Sequence, residues 1–219
     1  MGFKSGFVKC LFLSLMVLFV GCAELKSLRE EKIVMNQRIE ELQRERDDLD
    51  TRYNLSEQEK ASMIEERDRL EYARRSMEER LQGSGASVRI KEGKISVMLP
   101  SSILFNSGQT KLKKAAKSSL VKVCNVVKND FPDATIRIEG HTDSDPLKRT
   151  KDVYKSNWEL SALRATNVLH YLVDSCRLDA KKLYIAGFGK HQPVASNKSK
   201  EGKKKNRRVE IVILTDTDR

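Results

Sequence analysis

From Ala23 to Gln82 the chain contains no glycine and no proline, and charged residues dominate it. Such a stretch offers nothing that breaks a helix and no dense apolar cluster from which to build a core. Apolar side chains recur in it at seven-residue intervals, at Leu28, Met35, Leu42, Leu49, Met63, Leu70 and Met77, with Ser56 the one gap. A second stripe three positions earlier holds Leu25, Ile39, Tyr53 and Leu81, but Lys32, Arg46, Lys60, Arg67 and Arg74 interrupt it. One seam is well kept and the other is half polar, which predicts a long helix with moderate coiled-coil tendency over residues 23–83. Continuous helix here would reach roughly 90 Å at about 1.5 Å per residue. A solitary solvated helix or a partly disordered linker fits the same composition, and the kept seam admits a homodimer. In each form the segment is a spacer.

What precedes the spacer has the layout of an export signal. Lys4 and Lys9 come before an apolar run from Leu11 to Val20, which ends in Gly21-Cys22. The run is too short to cross a hydrocarbon core of ~30 Å as a helix. Phe19-Val20-Gly21-Cys22 is similar to the signal box of bacterial lipoproteins, with Phe where Leu is usual. That resemblance implies that residues 1–22 form a signal ending at Cys22, whose thiol and amine become acylated with palmitate-type chains. Ala23 rather than Asp then implies sorting to the periplasmic face of the outer membrane. An uncleaved anchor and a soluble secreted protein cut nearby are the alternatives.

Charge is distributed unevenly. Residues 23–83 carry 13 basic and 17 acidic side chains, whereas residues 84–219 carry 27 basic and 14 acidic ones. A segment this basic attracts polyanions. An exported domain rarely meets nucleic acid, so anionic wall polymer, acidic head groups or solubility alone suit the compartment better. Of the four cysteines, the resemblance implies that Cys10 leaves with the signal and that Cys22 is the lipidation site. Cys124 and Cys176 remain, one in each predicted helix of the domain. Export permits a disulfide between them, and two buried thiols between packed helices fit equally. Their spacing matches no metal motif.

Gly83-Ser84-Gly85 ends the helix and opens a domain over residues 84–219. Val88-Arg89-Ile90 and Ile95 to Leu99 alternate around Glu92-Gly93, the pattern of a hairpin. A helix is predicted from about Lys111 to Val127, a strand over Thr135 to Glu139, and a second helix from Asn157 to about Val173. Ser156 and Glu159 form the capping box of that second helix. Leu183-Tyr184-Ile185 and Val209 to Leu214 supply the last strands. Strands alternating with helices predict an α/β (α+β sandwich) fold, a mixed sheet on two helices with at least one right-handed crossover.

The chemistry concentrates between Gly140 and Arg164. Gly140-His141-Thr142-Asp143 leaves the Thr135 strand, and Asn157, Ser161 and Arg164 share one face of the next helix at i, i+4 and i+7. Trp158, Ala162, Ala165, Leu169 and Leu172 fall on a neighbouring face suited to the sheet, so Arg164 is expected to point away from the core, toward the Asp143 loop. A guanidinium grips a carboxylate with two parallel hydrogen bonds, and a carboxylate accepts from an ammonium. Together they suit a ligand with an amine and an acid on one carbon. From the residues alone, a mutual Asp143–Arg164 surface pair fits as well. His141 has no Cys, Ser or His partner pattern for catalysis and reads as a strand-end His satisfied by backbone. His170 and His191 lack metal-ligand spacing, so no metal, cofactor or catalytic residue is assigned. Gly187-Phe188-Gly189 reads as a tight turn, and Lys198 to Lys205 as a solvated basic loop.

The ordered set Gly140-His141-Thr142-Asp143, Asn157 to Ala165, Gly187-Phe188-Gly189 and Asn206-Arg207-Arg208-Val209-Glu210-Ile211 resembles the OmpA-like peptidoglycan-binding domain family over roughly residues 85 to 215. The resemblance implies that Asp143 and Arg164, assisted by Asn157, hold the free end of diaminopimelate in peptidoglycan stem peptides. It further implies that Arg207 and Arg208 belong to the fold, one of them able to line the groove. The long charged loop from Ser144 to Lys155, with Trp158, is similar to the flagellar stator branch of the family. A stator subunit, however, needs a membrane helix bearing a proton-carrying Asp, which Lys9 to Cys22 lacks. The overall layout resembles peptidoglycan-associated lipoproteins with an added stalk. The expected function is therefore a non-enzymatic tether between outer membrane and wall, with a stator-like or secretion-system component as the alternative.

Overall fold

The exposed, glycine-free run falls almost wholly within a single helix, α1 (Lys4–Arg80), in a computed structural model that describes the backbone of residues 4–148 and 150–214 and the side chains from Leu25 onward. The Cys22 side chain lies outside the described residues. The chain divides into two units, residues 1–63 and 64–219. Among the described residues, no helix is long and apolar enough to cross a membrane.

In the first unit every described side chain of α1 is exposed. Exposed ion pairs one turn apart decorate it, including Arg38–Glu41 at 2.6 Å and Arg52–Asp48 at 3.0 Å. Pairs of this kind contribute little to stability.

The second unit gathers in the last turns of α1, because Met77 and Leu81 are each 1% exposed and join its core. Gly83 and Gly85, at φ 73° each, then turn the chain away. Strands β1 (Ser87–Lys91) and β2 (Lys94–Pro100) form the expected hairpin, with Glu92 and Gly93 both at positive φ. This is the backbone that a two-residue turn between twisted strands requires. A short helix, α2 (Ser101–Leu104), leads to α3 (Lys114–Asp130). Helix α3 starts later than the sequence predicts, because Phe105 and Leu112 pair in a bridge and Lys113 N–H donates to the Leu104 carbonyl at 2.9 Å. Strand β3 (Thr135–His141), helix α4 (Asn157–Asp174), strand β4 (Leu183–Gly189), helix α5 (Lys200–Asn206) and strand β5 (Arg208–Leu214) complete the unit.

The sheet order is β1-β2-β5-β3-β4, with β3 and β4 parallel and the other pairs antiparallel. It is the mixed α+β sheet expected, and α3 and α4 contribute to one core with it. Ile136 and Ile138 of β3, Val209, Ile211 and Ile213 of β5, and Ala116, Leu120 and Val123 of α3 are all buried in that core.

Helix α4 lies unusually close to the sheet. A Cβ on Gly140 would stand 2.0 Å from the Ser161 carbonyl oxygen, and one on Gly187 would stand 2.7 Å from the Ala162 Cβ. These glycines set the rotation of α4, whose buried residues are Leu160, Ser161, Arg164, Ala165, Val168 and Leu172. The face expected to meet the sheet is thus displaced. Trp158 is 50% exposed and stacks on His191 at 4.7 Å, while Ser161 is fully buried and accepts from the Gly189 N–H. Gly187-Phe188-Gly189 is the end of β4 rather than a tight turn.

The basic segment expected as a loop is helical in α5. Ser199 caps it by accepting from the Gly202 N–H, and Asn206, fully buried, holds Val194 and Ala195 by their N–H groups. Cys124 and Cys176 form a disulfide, which selects between the two readings of these residues. Cys176 lies just beyond the end of α4 rather than within it.

Candidate functional site

Three elements converge on Asp143. The Thr142 N–H donates to the Gly189 carbonyl at 2.8 Å, which fixes the exit from β3. Asp143 Oδ1 then accepts from the Asp145 N–H at 3.2 Å, the local bond that lets an Asp shape a turn. Its Oδ2 accepts from Arg207 Nη1. Arg207 is the C-cap of α5, and its side chain leaves the strand that buries its neighbour Arg208.

Arg164 is 5% exposed, so it does not project away from the core as expected. The close approach of α4 to Gly140 carries it inward. Arg164 Nε donates to the Gln109 carbonyl at 3.0 Å, and its guanidinium lies 5.2 Å from the Phe105 ring centroid. Among the described residues, its terminal Nη atoms make no hydrogen bond. Burial lowers its pKa, and Arg207 adds to that, while Tyr154 and Asp143 oppose it; a guanidinium stays charged nonetheless. Asp143 and Arg164 therefore sense each other electrostatically without sharing a hydrogen bond, and the partner of Asp143 is Arg207. Asn157 opens α4 behind the Ser156 cap, and its Nδ2 donates to the Asp145 carbonyl at 2.9 Å. The expected capping box is nearly complete. Ser156 Oγ accepts from the Glu159 N–H at 3.4 Å, while the Glu159 carboxylate accepts from Lys155 N–H, one residue further out.

The charges decide what such a groove can hold. Two guanidiniums, Arg164 and Arg207, stand near one carboxylate, Asp143, while Asp145 is occupied by Lys203 at 2.6 Å. The surplus cation suits a carboxylate, and Asp143 is an acceptor for an ammonium. A partly open hollow of about 170 Å³ lies elsewhere, lined by Val127, Phe131, Ile136, Leu178 and Leu183 with Lys128, Arg177, Asp179 and Lys182 at its edge.

Sequence reading missed the company of Arg164, namely Gln109 and Phe105, because both lie in the irregular segment before α3. It also missed the Lys203–Asp145 pair. Arg207 carried a readable signal, since adjacent residues entering a strand project to opposite faces.

A second polar cluster occupies the sheet face opposite the core. Glu139 and Glu210 stand directly across from each other in the β3–β5 register, where like charges repel. Arg137 donates to Glu139 at 2.6 Å and Arg208 donates to Glu210, so two guanidiniums neutralise two carboxylates. His141 is 1% exposed, stacks on Phe188 at 5.2 Å, and has Nε2 3.3 Å from Glu139 Oε2. It is therefore set among carboxylates rather than satisfied by backbone, because strand alternation turns it to the charged face. Atoms of Glu139, His141 and Glu210 come within 4.8 Å of one another, close enough to hold a cation. Arg137 and Arg208 already supply that positive charge, so we read the cluster as an ion-pair network.

Burial holds His141 below its ordinary pKa despite Glu139. Below about pH 6.5, the ordinary histidine value, the unfolded chain gains a proton there that the folded chain resists. Stability is therefore complete above that pH and declines as pH falls below it. Burial alone would raise the Glu139 carboxyl, but His141 and Arg137 hold it low, so its contribution is lost only in more acid solution. Thermal melts of His141→Gln should show a shallower decline in Tm from about pH 7 to about pH 5 than the parent. Parallel slopes would contradict a neutral buried imidazole.

The fold thus gathers a charged cluster, Asp143, Arg164 and Arg207, at the end of a mixed sheet. Residues 104–207 match the OmpA family. Motility protein B of Bacillus subtilis is 40% identical over 118 residues, covering 54% of this chain and 44% of that protein. The probable lipoprotein YiaD of Escherichia coli is 32% identical over 137 residues, covering 63% of this chain and 59% of that one. The chain thus spans about half the length of these curated relatives. The structure of the cell wall anchor of the T6SS from Pseudomonas aeruginosa superposes with a TM-score of 0.56 at 26% identity, covering 63% of this chain and 93% of that chain.

Proposed function

We propose that this chain is a lipid-anchored, non-enzymatic tether that binds peptidoglycan noncovalently and ties the outer membrane to the wall. The ligand is the free end of diaminopimelate in a stem peptide. Its carboxylate lies against Arg164, with Arg207 alongside, its ammonium against Asp143, and Asn157 helps to hold the turn that carries Asp143. The observation that carries this reading is the pair of guanidiniums facing a single carboxylate across α4, α5 and the β3 exit. The likeness to a cell wall anchor supports the same ligand. Acylation at Cys22 rests on the Phe19-Val20-Gly21-Cys22 box, and a lipoprotein stands among the relatives. Neither binding nor anchoring calls for catalysis.

The full chain should co-sediment with purified sacculi and be released by free diaminopimelate. Cells fed labelled palmitate should label the wild type and not Cys22→Ser, which should also leave the outer-membrane fraction. Sedimentation with sacculi no greater than without them would refute the wall-binding half. Equal label in Cys22→Ser would refute the anchor.

A stator-like or secretion-system component, held to the wall by the same groove, is the second reading. The 40% identity to a motility protein favours it. A membrane protein that co-purifies with the full chain, and is lost when residues 23–82 are deleted, would select it over the simple tether.

A further inference from the structure

The first unit exposes a stripe that a monomer has no use for. Leu28, Met35, Leu42, Leu49 and Met63 are 48–66% exposed along one line of α1, and Ile39 and Tyr53 lie exposed on the flanking line. The same seven-residue pattern runs on to Leu70 and Met77, which join the core of the compact unit. The stripe is thus covered at its C-terminal end and bare over residues 25–63.

In heptad terms the bare line is position d, and the half-polar line is position a. Within residues 25–63 each interrupting basic residue at a, namely Lys32, Arg46 and Lys60, follows directly on a glutamate at g: Glu31, Glu45 and Glu59; beyond that stretch Arg67 follows Glu66 and Arg74 follows Ala73. In a parallel, in-register pair, the knob at a packs into a hole of the facing helix that includes the g residue preceding a′. Lys32, Arg46 and Lys60 would then each meet a glutamate of the second copy. Antiparallel pairing instead sets g against g′, where glutamate predominates at Glu24, Glu31, Glu45 and Glu59, and repels itself. In the single chain these cations have only weak local partners, such as Asp47 for Arg46 and Glu57 for Lys60, all widely exposed. The pairs between g and e′ are mixed, favourable for Arg52 with Glu57 and unfavourable for Glu45 with Asp50, so they do not decide the matter. Ile33, Val34 and Leu55 lie off the seam as scattered exposed residues.

We propose that residues 25–63 pair with a second copy of this chain as a parallel, in-register two-stranded coil, held by the d stripe and by cross-chain contacts from basic a to acidic g′. Such a pair carries two compact units on one support, so a polymeric ligand meets two grooves. That consequence, unlike the pairing, rests on the wall-binding reading.

Cysteine cross-linking of the full chain in cells tests the pairing. Ser56 is the gap in the d line, where the two copies face each other only if parallel and in register; Gln58 lies on the outer face. Under mild oxidation Ser56→Cys should give a species of twice the chain mass, at least about tenfold more than Gln58→Cys, because a disulfide forms only between closely opposed Cβ atoms. Adding Glu45→Lys and Glu59→Lys should abolish it, and further adding Arg46→Glu and Lys60→Glu should restore it. Equal cross-linking at the two positions, an adduct of another mass, or indifference to the charge reversals would overturn the proposal. Each substituted position is solvent-exposed, so the compact unit folds in every variant.

Discussion

Replacing Cys124 and Cys176 together by Ala should lower the unfolding free energy by about 4 kcal/mol, with a drop in Tm of roughly 10 °C. The bond closes a loop across a sequence separation of 52, and loop-closure entropy grows with the logarithm of that length. Within the loop lie β3, the Asp143 segment and all of α4, so one covalent link restrains both sides of the groove. Both cysteines are buried in the core, so their loss is felt in packing as well. Chemical denaturation of the full chain and the double variant, followed by circular dichroism, provides the measurement. Midpoints that coincide would show that the cross-link does not constrain the unfolded chain in this way.

The second large effect concerns binding. Asp143→Asn and Arg164→Lys should each weaken attachment to sacculi by about 1.5–3 kcal/mol, the usual contribution of a hydrogen bond to a charged group, or roughly 10- to 100-fold in Kd. The lysine keeps the charge at position 164 but cannot present two parallel donors. If both side chains hold the same ligand carbon, the double variant should lose less than the sum. Lysine is the better probe here because Arg164 is buried against Phe105 and Gln109, so Arg164→Ala would also disturb the fold. Arg207→Gln gives an independent check. Its side chain is 41% exposed, so stability should change little while attachment weakens, since the groove then has no surplus cation. Co-sedimentation curves unaltered in all three single variants would remove the groove from the account.

Much of this was legible in the chain, and the failures share a physical cause. The hairpin was readable because Glu92-Gly93 supplies the positive φ its turn needs, and α4 because Ser156 and Glu159 mark its start. The fold class followed from the alternation of strands and helices. The rotation of α4 was not readable. It depends on how closely a helix backbone approaches Gly140 and Gly187, and that distance is a tertiary quantity absent from periodicity. Arg164 was therefore expected outside the core, and Trp158 inside it. The helix in 200–206 was masked by its lysines, since charge suggested a loop while the Ser199 cap and the buried Gly202 and Asn206 settled the matter locally. The residues of the groove were legible as types in an order. Their pairing was not, because Asp143 meets Arg207 across 64 residues, and no local rule ranks that cation above Arg164.

In the function proposed, the site around Asp143 recognises a carbon bearing both an amine and an acid. Isothermal titration of the full chain with free diaminopimelate tests this most directly, with the wild type beside Asp143→Asn under identical conditions. The wild type should bind saturably, with an affinity lower by about 10- to 100-fold in the variant. A diacid that lacks the amines should bind little or not at all. Equal binding by wild type and Asp143→Asn, or equal binding of the amine-free diacid, would contradict it.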